Sequence, residues 1–349
     1  IKSDGAKKSV FLLTGGYDLR QDTTPAGDDS AGRAIYAVDA LTGALTSLNI
    51  NGGNWSEMKN SILDVGGFDR NEDAVIDLIY AGDLGGRLFA MRDPNASGSW
   101  QKRVLFTAPG TLGGKTMSKK FMYAPAVTKE TFGEYVFAGT GDRENPTNTS
   151  LANAFYAIKS DWTAANPPTL TIANLTDVSS NAIQGSDGAA KILVQKALKN
   201  SSGWYFTFPN LGEKLVASPL VFDGIVYFTT YTPSAGTVAG TDPCAGNTNR
   251  GTARLYAIDY LTGGAAYKYA SDSKRIGKDV VSTPADRSKV IGTGIPSQPQ
   301  VVVLRSSGND GENGGSGGTK VLVGVEGGVV IEEAELKKPF HTYFWQQLQ

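Results

Sequence analysis

The amino-acid sequence predicts an all-β protein assembled from a repeated strand unit, and three observations carry that expectation. The apolar runs are short, rich in Val, Ile, Tyr and Phe, and bounded by Gly, Asn, Asp and Pro, which is how strands and turns are punctuated. A phrase made of an apolar residue, Tyr or Phe, Ala and a second apolar residue recurs along the chain. Sustained 3.6-residue periodicity, the mark of amphipathic helices, is scarce.

The repeat unit follows in order. The phrase stands at Ala34-Ile35-Tyr36-Ala37-Val38-Asp39, Arg87-Leu88-Phe89-Ala90-Met91, Ala154-Phe155-Tyr156-Ala157-Ile158 and Arg254-Leu255-Tyr256-Ala257-Ile258-Asp259. Each copy follows a β-rich run ending in small residues: Phe11–Gly16, Ile79–Gly82, Tyr135–Gly139 and Val226–Thr230. A degenerate fifth unit is Val321–Gly324 followed by Gly327–Ile331. Two copies run on into Leu41-Thr42-Gly43 and Leu261-Thr262-Gly263, which read as tight turns. A strand, a connection and a second strand cannot bury both faces alone, so the unit must stack on its neighbours. Blades of four antiparallel strands around an axis satisfy this, and 349 residues at roughly 45–50 per blade make about seven.

Uneven spacing between the copies implies long polar insertions on one rim, at Asp18–Arg33, Asp161–Asp187, Pro233–Thr252 and Ser306–Thr319, with Gly308–Gly318 a flexible loop. In Asp187–Asn200, Ala189, Ala190, Ile192, Leu193, Ala197 and Leu198 could stripe one face of a helix, and the run reads equally as a strand. No composition break marks a second domain, so residues 1–349 read as a single propeller domain.

Composition removes several classes of function. Thirty-three Lys and Arg against 34 Asp and Glu leave a formal charge of −1, which offers no basic surplus for nucleic acid and no polybasic tract for a membrane surface. The single histidine, His341, makes a histidine-dependent triad, a multi-histidine zinc site or a haem site improbable. The single cysteine, Cys244, cannot form an internal disulfide and reads as an inert thiol in a polar loop. No run approaches the roughly 18 apolar residues of a membrane-spanning helix. The start, Ile1-Lys2-Ser3-Asp4-Gly5, is neither an initiator Met nor a signal peptide, so the chain is expected to be processed or cut from something longer.

The most specific local signal is Asp69-Arg70-Asn71-Glu72-Asp73-Ala74-Val75-Ile76-Asp77, with oxygen side chains at loop positions 1, 3, 5 and 9. Alternate residues of a tight loop can converge on one centre, and hard oxygen ligands suit Ca2+, which takes about 6–8 of them. Asp69, Asn71 and Asp73 would give side-chain oxygens, Val75 its carbonyl, and Asp77 a carboxylate, directly or through water. The loop departs from a full EF-hand at position 6, which is Ala74 instead of Gly, and at position 12, which is Tyr80 instead of Glu. Neither flank reads as helix, so the loop is expected to cap a β-strand and to bind with an affinity on the order of micromolar or weaker. The competing reading is an acidic surface turn whose Asp and Asn serve turn geometry; four correctly spaced ligands running into Leu78-Ile79-Tyr80-Ala81 favour the metal.

Other matches fail. Pro109–Thr116 resembles a phosphate-binding loop, yet Pro109 replaces the first required Gly and Tyr123-Ala124-Pro125 follows instead of a helix, so a β-turn is expected. Gly139-Thr140-Gly141 lacks the third Gly and the βαβ context of a dinucleotide fingerprint. Glu332, Glu333 and Glu335 read as a solvated charge cluster, His341 as a local hydrogen-bonding residue, and Tyr36, Phe89, Tyr156 and Tyr256 as core between blades. No catalytic residue is expected.

Taken in order, Thr14-Gly15-Gly16-Tyr17-Asp18, Gly32–Asp39, the Asp69–Asp77 loop running into Tyr80–Gly86, and Phe137–Arg143 resemble the C-terminal domain of the PilY/PilC family of type IV pilus biogenesis factors and tip-associated adhesins. Ala217-Ser218-Pro219, Tyr227–Pro233 and Tyr343-Phe344-Trp345 extend the likeness over nearly the whole chain. The resemblance implies a modified β-propeller of the quinoprotein type, with one Ca2+ held by Asp69, Asn71, Asp73, Val75 and Asp77. It also implies a role in balancing pilus extension against retraction and in supporting surface attachment and twitching motility. The implied location is exported, at the outer membrane, cell surface or pilus tip, with pilins or minor pilins as partners. The family's N-terminal region, through which host or abiotic surfaces would be met, is expected to lie outside this chain, and no Arg-Gly-Asp triplet is present.

Three functions are therefore weighed: a non-enzymatic, calcium-responsive pilus module, a quinoprotein-type dehydrogenase holding pyrroloquinoline quinone, and a structural propeller scaffold for another extracellular partner. The dehydrogenases share the Leu-Tyr-Ala-Ile-Asp phrase, but their vicinal disulfide is impossible with one Cys, and Trp55, Trp100, Trp162, Trp204 and Trp345 show no blade spacing.

Overall fold

The computed structural model describes residues 1–3, 5–23, 27–95, 97–131, 133–164, 166–234, 250–277, 280–303 and 319–334. Five mainly antiparallel sheets follow one another along the chain, each a meander of neighbouring strands. The first pairs Val10–Gly15, Gly32–Asp39 and Leu45–Asn51, and the second Ile62–Phe68, Leu78–Asp83, Arg87–Arg92 and Gln101–Thr107. The third is built on Ala126–Glu130, Gly133–Gly139, Ala154–Ser160 and Gly203–Thr207, with Thr176–Asp177 added in parallel at its edge. Lys214–Leu215, Ile225–Thr232, Thr252–Asp259 and Ser288–Thr293 make the fourth, where Leu220–Phe222 also pairs with Ile225–Thr232. Gln300–Val303, Thr319–Val325 and Gly328–Ala334 make the fifth.

The all-β expectation holds, with one α-helix. The length arithmetic led to about seven blades, whereas five sheets of three or more strands stand among the described residues. The units are longer than the repeat spacing suggests: the third sheet spreads over Ala126–Thr207 because the helix Gly188–Asn200 and several short turns are inserted before its strand Gly203–Thr207.

Four cores fill the four seams between successive sheets. Strand alternation sends Ile79, Ala81, Phe89 and Met91 of the second sheet towards Ile35, Ala37, Leu48 and Ile50 of the first. The intervening residues Leu78, Tyr80, Leu88 and Ala90 face Val136, Ala138, Tyr156 and Ile158 of the third sheet. Phe137, Phe155 and Phe206 meet Val226, Phe228 and Tyr256 of the fourth, where Phe228 stacks on Phe155 (centroids 4.1 Å apart) and on Tyr256 (4.7 Å). Tyr227, Leu255 and Ala257 pack against Val321 and Val323 of the fifth. A sheet with two covered faces explains why Leu78–Asp83 and Gly133–Gly139 are buried at every position.

Of the recurring aromatics, Phe89, Tyr156 and Tyr256 are core, as expected. Tyr36 is half-buried instead. It pairs with Leu13 on the outer face of the first sheet, which no other sheet covers among the described residues, and Phe11 and Leu13 are exposed beside it. The two Asp-x-Leu-Thr-Gly turns share one construction. Asp39 accepts the amides of Leu41 (2.9 Å) and Thr42 (3.1 Å), Asp259 those of Leu261 (3.2 Å) and Thr262 (3.0 Å), and Gly43 and Gly263 close the turns at φ 72° and 67°. Pro109–Thr116 contains the expected turn: Thr111–Leu112 pairs with Lys115–Thr116 around Gly113 and Gly114.

The segment Asp187–Asn200 resolves to the helix Gly188–Asn200, capped by Asp187 accepting the amides of Ala189 and Ala190. Its contact face is not the expected stripe. Val194 and Leu198 pack against the core between the third and fourth sheets, while Ile192, Leu193 and Ala197 face solvent. Glu332 and Glu333 lie on the strand Gly328–Ala334, and Glu332 forms an ion pair with Lys289 instead of joining a solvated cluster. Cys244, Glu335, His341, the loop Gly308–Gly318 and Tyr343-Phe344-Trp345 lie outside the described residues.

Candidate metal centre

The Asp69–Asp77 loop joins the strands Ile62–Phe68 and Leu78–Asp83 of the second sheet, so it caps a β-strand as expected. Its acidic side chains fold back on the loop's own amides. Asp69 accepts from Glu72 N (2.7 Å) and Asp73 N (3.2 Å) through Oδ1 and from Ala74 N (2.7 Å) through Oδ2. Asn71 Oδ1 accepts from Asp73 N (3.2 Å), Asp73 Oδ1 from Val75 N (2.9 Å), and Asp77 Oδ1 from Arg70 N (2.8 Å). Such side-chain to backbone bonds make successive tight turns. Glu72 and Ala74 adopt left-handed backbone, φ 64° and 63°. Ala74 holds the position that an EF-hand gives to Gly, so the residue type departs from that pattern while the backbone conformation matches its demand.

Asp77 and Val75 are buried, Asp69 is half-buried, and Asn71 and Asp73 are exposed. Burial raises the Asp77 carboxyl above the usual carboxylate range; the Arg70 amide opposes this, and the charges of Asp69 and Asp73 add to it. The three carboxylates thus feel one another, but among the described residues no group of three or more His, Cys, Asp or Glu converges as a ready-made ligand cluster. The donor set is oxygen only, one exposed, one half-buried and one buried carboxylate, an amide and a carbonyl, which is chemistry that fits Ca2+. If bound there, a divalent cation would supply the counter-charge that Asp77 lacks.

Besides the Asp93 amide, which donates to the Asp77 carbonyl (2.9 Å), two side-chain contacts tie the loop to the rest of the molecule. Lys7 Nζ donates to the Asp73 carbonyl (2.6 Å). Arg70 reaches the third sheet, where its Nε lies 2.5 Å from Oε1 of the buried Glu134. Glu134 Oε2 accepts from the Tyr80 hydroxyl (3.2 Å), which is 2.9 Å from Ser160 Oγ. Local spacing could not show this bridge, since Arg70 and Glu134 are 64 residues apart; the one signal was an acid inside the apolar run Gly133–Gly139.

The strand-end acids form a separate set. Asp18 accepts the amides of Arg20 (2.9 Å), Ser30 (2.7 Å) and Ala31 (2.7 Å), which hold its carboxyl well below the usual range and pin the Asp18–Arg33 insertion. Asp142 Oδ2 takes Lys120 Nζ at 2.8 Å. Asp83, fully buried, accepts from Gly85 N (3.0 Å) and Arg87 N (2.7 Å), and burial pushes its carboxyl up to about 6.

No family model matches the chain. It is 26% identical over 301 residues to the type IV pilus biogenesis factor PilY1 of Pseudomonas aeruginosa, an alignment that covers 73% of this chain and 25% of that protein. A PilY1 homolog from Xylella fastidiosa is 26% identical over 270 residues, 67% of this chain and 17% of that protein. The crystal structure of the P. aeruginosa PilY1 C-terminal domain superimposes with a TM-score of 0.60 at 18% identity, covering 94% of this chain and 71% of that one. The chain is similar to PilY1 and to its C-terminal domain. The family resemblance read from the sequence therefore holds, and the all-β architecture is the one PilY1 uses. The chain spans about a quarter or less of the curated relatives it matches.

Proposed function

We propose that this chain is a module of a type IV pilus biogenesis factor, with no enzymatic activity, whose Asp69–Asp77 loop binds Ca2+. The likeness to PilY1 over most of the chain is the observation that carries the reading. Five sheets stacked face to face, each buried against the next, support a propeller-like arrangement as its scaffold. The oxygen donor set and the left-handed Ala74 support the ion. The partners in this reading are pilins or minor pilins, met outside the cell at the surface or pilus tip.

Calcium would act by linkage. An ion that binds only the ordered loop stabilises that conformation by about 2.7 kcal/mol at a hundredfold excess over Kd. The loop is fastened through Arg70 to Glu134, so its state is felt at the seam between the second and third sheets. Such a bias could set the contact with pilus subunits and so the balance of extension and retraction. The test is calorimetric titration of Ca2+ into the chain and into Asp77→Ala, with melting temperatures in Ca2+ and in chelator. Binding that raises the melting temperature and is lost in Asp77→Ala is expected; equal behaviour of the two proteins removes the site. Capture of pilins from a piliated strain, compared in Ca2+ and in chelator, separates a pilus module from a scaffold for some other partner.

A further inference from the structure

Beside the loop, a cleft of about 340 Å3 opens between the second and third sheets, within the size range of ligand sites. Arg70, Arg92, Lys129 and Trp162 line it, together with the buried carboxylates of Asp77 and Glu134. The arrangement around Trp162 is unusual for a mere surface hollow. The guanidinium carbons of Arg92 and Arg103 lie 4.5 and 4.4 Å from the indole centroid, so one aromatic ring gathers two cations at the cleft.

The charges in the walls are not equally available. Arg70 is committed to Glu134 (2.5 Å), and Asp77 to the Arg70 amide (2.8 Å). Arg92 spends only its Nε, on Gln101 Oε1 (2.7 Å), and Lys129 is exposed without a partner among the described residues. What remains for a ligand is therefore a planar guanidinium fork, an ammonium and the edge of an indole. A fork of this kind matches the geometry of a carboxylate. Asp77, Glu134 and the exposed Asp161 in the same walls would repel a dianionic phosphate more strongly than a single carboxylate.

We propose that this cleft binds a carboxylate-bearing peptide segment of a partner, with Arg92 and Lys129 taking the carboxylate and Trp162 packing against the adjoining peptide. The site goes beyond the calcium reading: Arg92, Lys129 and Trp162 lie outside the Asp69–Asp77 loop, while Asn71 and Asp77 of that loop share the cleft wall.

The test uses the whole chain and capped hexapeptides that are identical except for one central Glu or Gln residue, followed by calorimetry and tryptophan fluorescence. The Glu peptide is expected to bind at least about tenfold more tightly than the Gln peptide and to weaken as salt is raised. Arg92→Gln and Lys129→Gln are each expected to weaken it about fivefold. Trp162→Phe is expected to abolish the fluorescence change, and Lys268→Gln, remote from the cleft, to change nothing. A Gln peptide with a free C-terminus separates the two sources of the group: tighter binding of that peptide assigns a chain terminus, tighter binding of the Glu peptide a side chain. Unchanged melting temperatures show that the variants fold. Equal affinity for the three peptides, no binding at millimolar peptide, or full affinity in the Arg92→Gln, Lys129→Gln double variant would each overturn the proposal.

Discussion

Asp83 shows how a single buried group shapes stability. It is fully buried, its second carboxylate oxygen has only a 3.5 Å ion contact with Arg87, and burial lifts its carboxyl to about 6. In the unfolded chain an Asp titrates near 3.9. Between these values the unfolded state has lost its proton while the folded state keeps it, so stability is fully present below about pH 4 and declines as pH rises through about 6. The loss is on the order of 2–3 kcal/mol. Urea unfolding across that range should show the decline in the native chain and a flatter profile in Asp83→Asn, which keeps an acceptor for Gly85 N and Arg87 N. At this scale much of the candidate metal loop was legible, because ligand spacing is a local property that short turns preserve: Asp69, Asn71, Asp73, Val75 and Asp77 fall in one strand-capping loop. Glu134 was not legible, because its partner comes from the neighbouring sheet.

At the scale of elements, the strands were readable wherever both faces are covered, since residues 78–81 and 154–158 then become unbroken apolar runs. The helix Gly188–Asn200 was ambiguous for a physical reason: only Val194 and Leu198 reach the core, and two contacts leave little periodicity in the sequence. Ile192 and Leu193 are 65% and 68% exposed. Replacing either with Gln should change stability by no more than about 0.5 kcal/mol, whereas Leu198→Ser should release the helix and lower stability by about 1–2 kcal/mol. Hydrogen exchange locates the effect: Leu198→Ser should speed exchange in Gly188–Asn200 and leave Ile225–Thr232 protected. Uniform loss of protection would mean that the helix is part of one cooperative unit with the sheets.

At the scale of the whole molecule, four cores join the five sheets of the described residues in chain order as a row, and stability should divide among these seams. Phe228 lies at the centre of the aromatic seam between the third and fourth sheets, stacked on Phe155 and Tyr256, and Phe228→Ala should cost about 3–5 kcal/mol. Phe89 belongs to the seam between the first and second sheets, against Trp55 at 5.1 Å. Because the two rings share no partner, the losses in the Phe89→Ala, Phe228→Ala double variant should add to within about 0.5 kcal/mol. In Phe155→Ala, Phe228→Ala the second truncation removes a stacking partner already lost, so the sum should exceed the measured cost. On the outer face of the first sheet Phe11 is 62% exposed, and Phe11→Ser should cost far less than either core change. Denaturant unfolding of these variants measures all three relations. Strong coupling between Phe89 and Phe228 would show that the seams are not independent and that the stack transmits strain from one end of the row to the other.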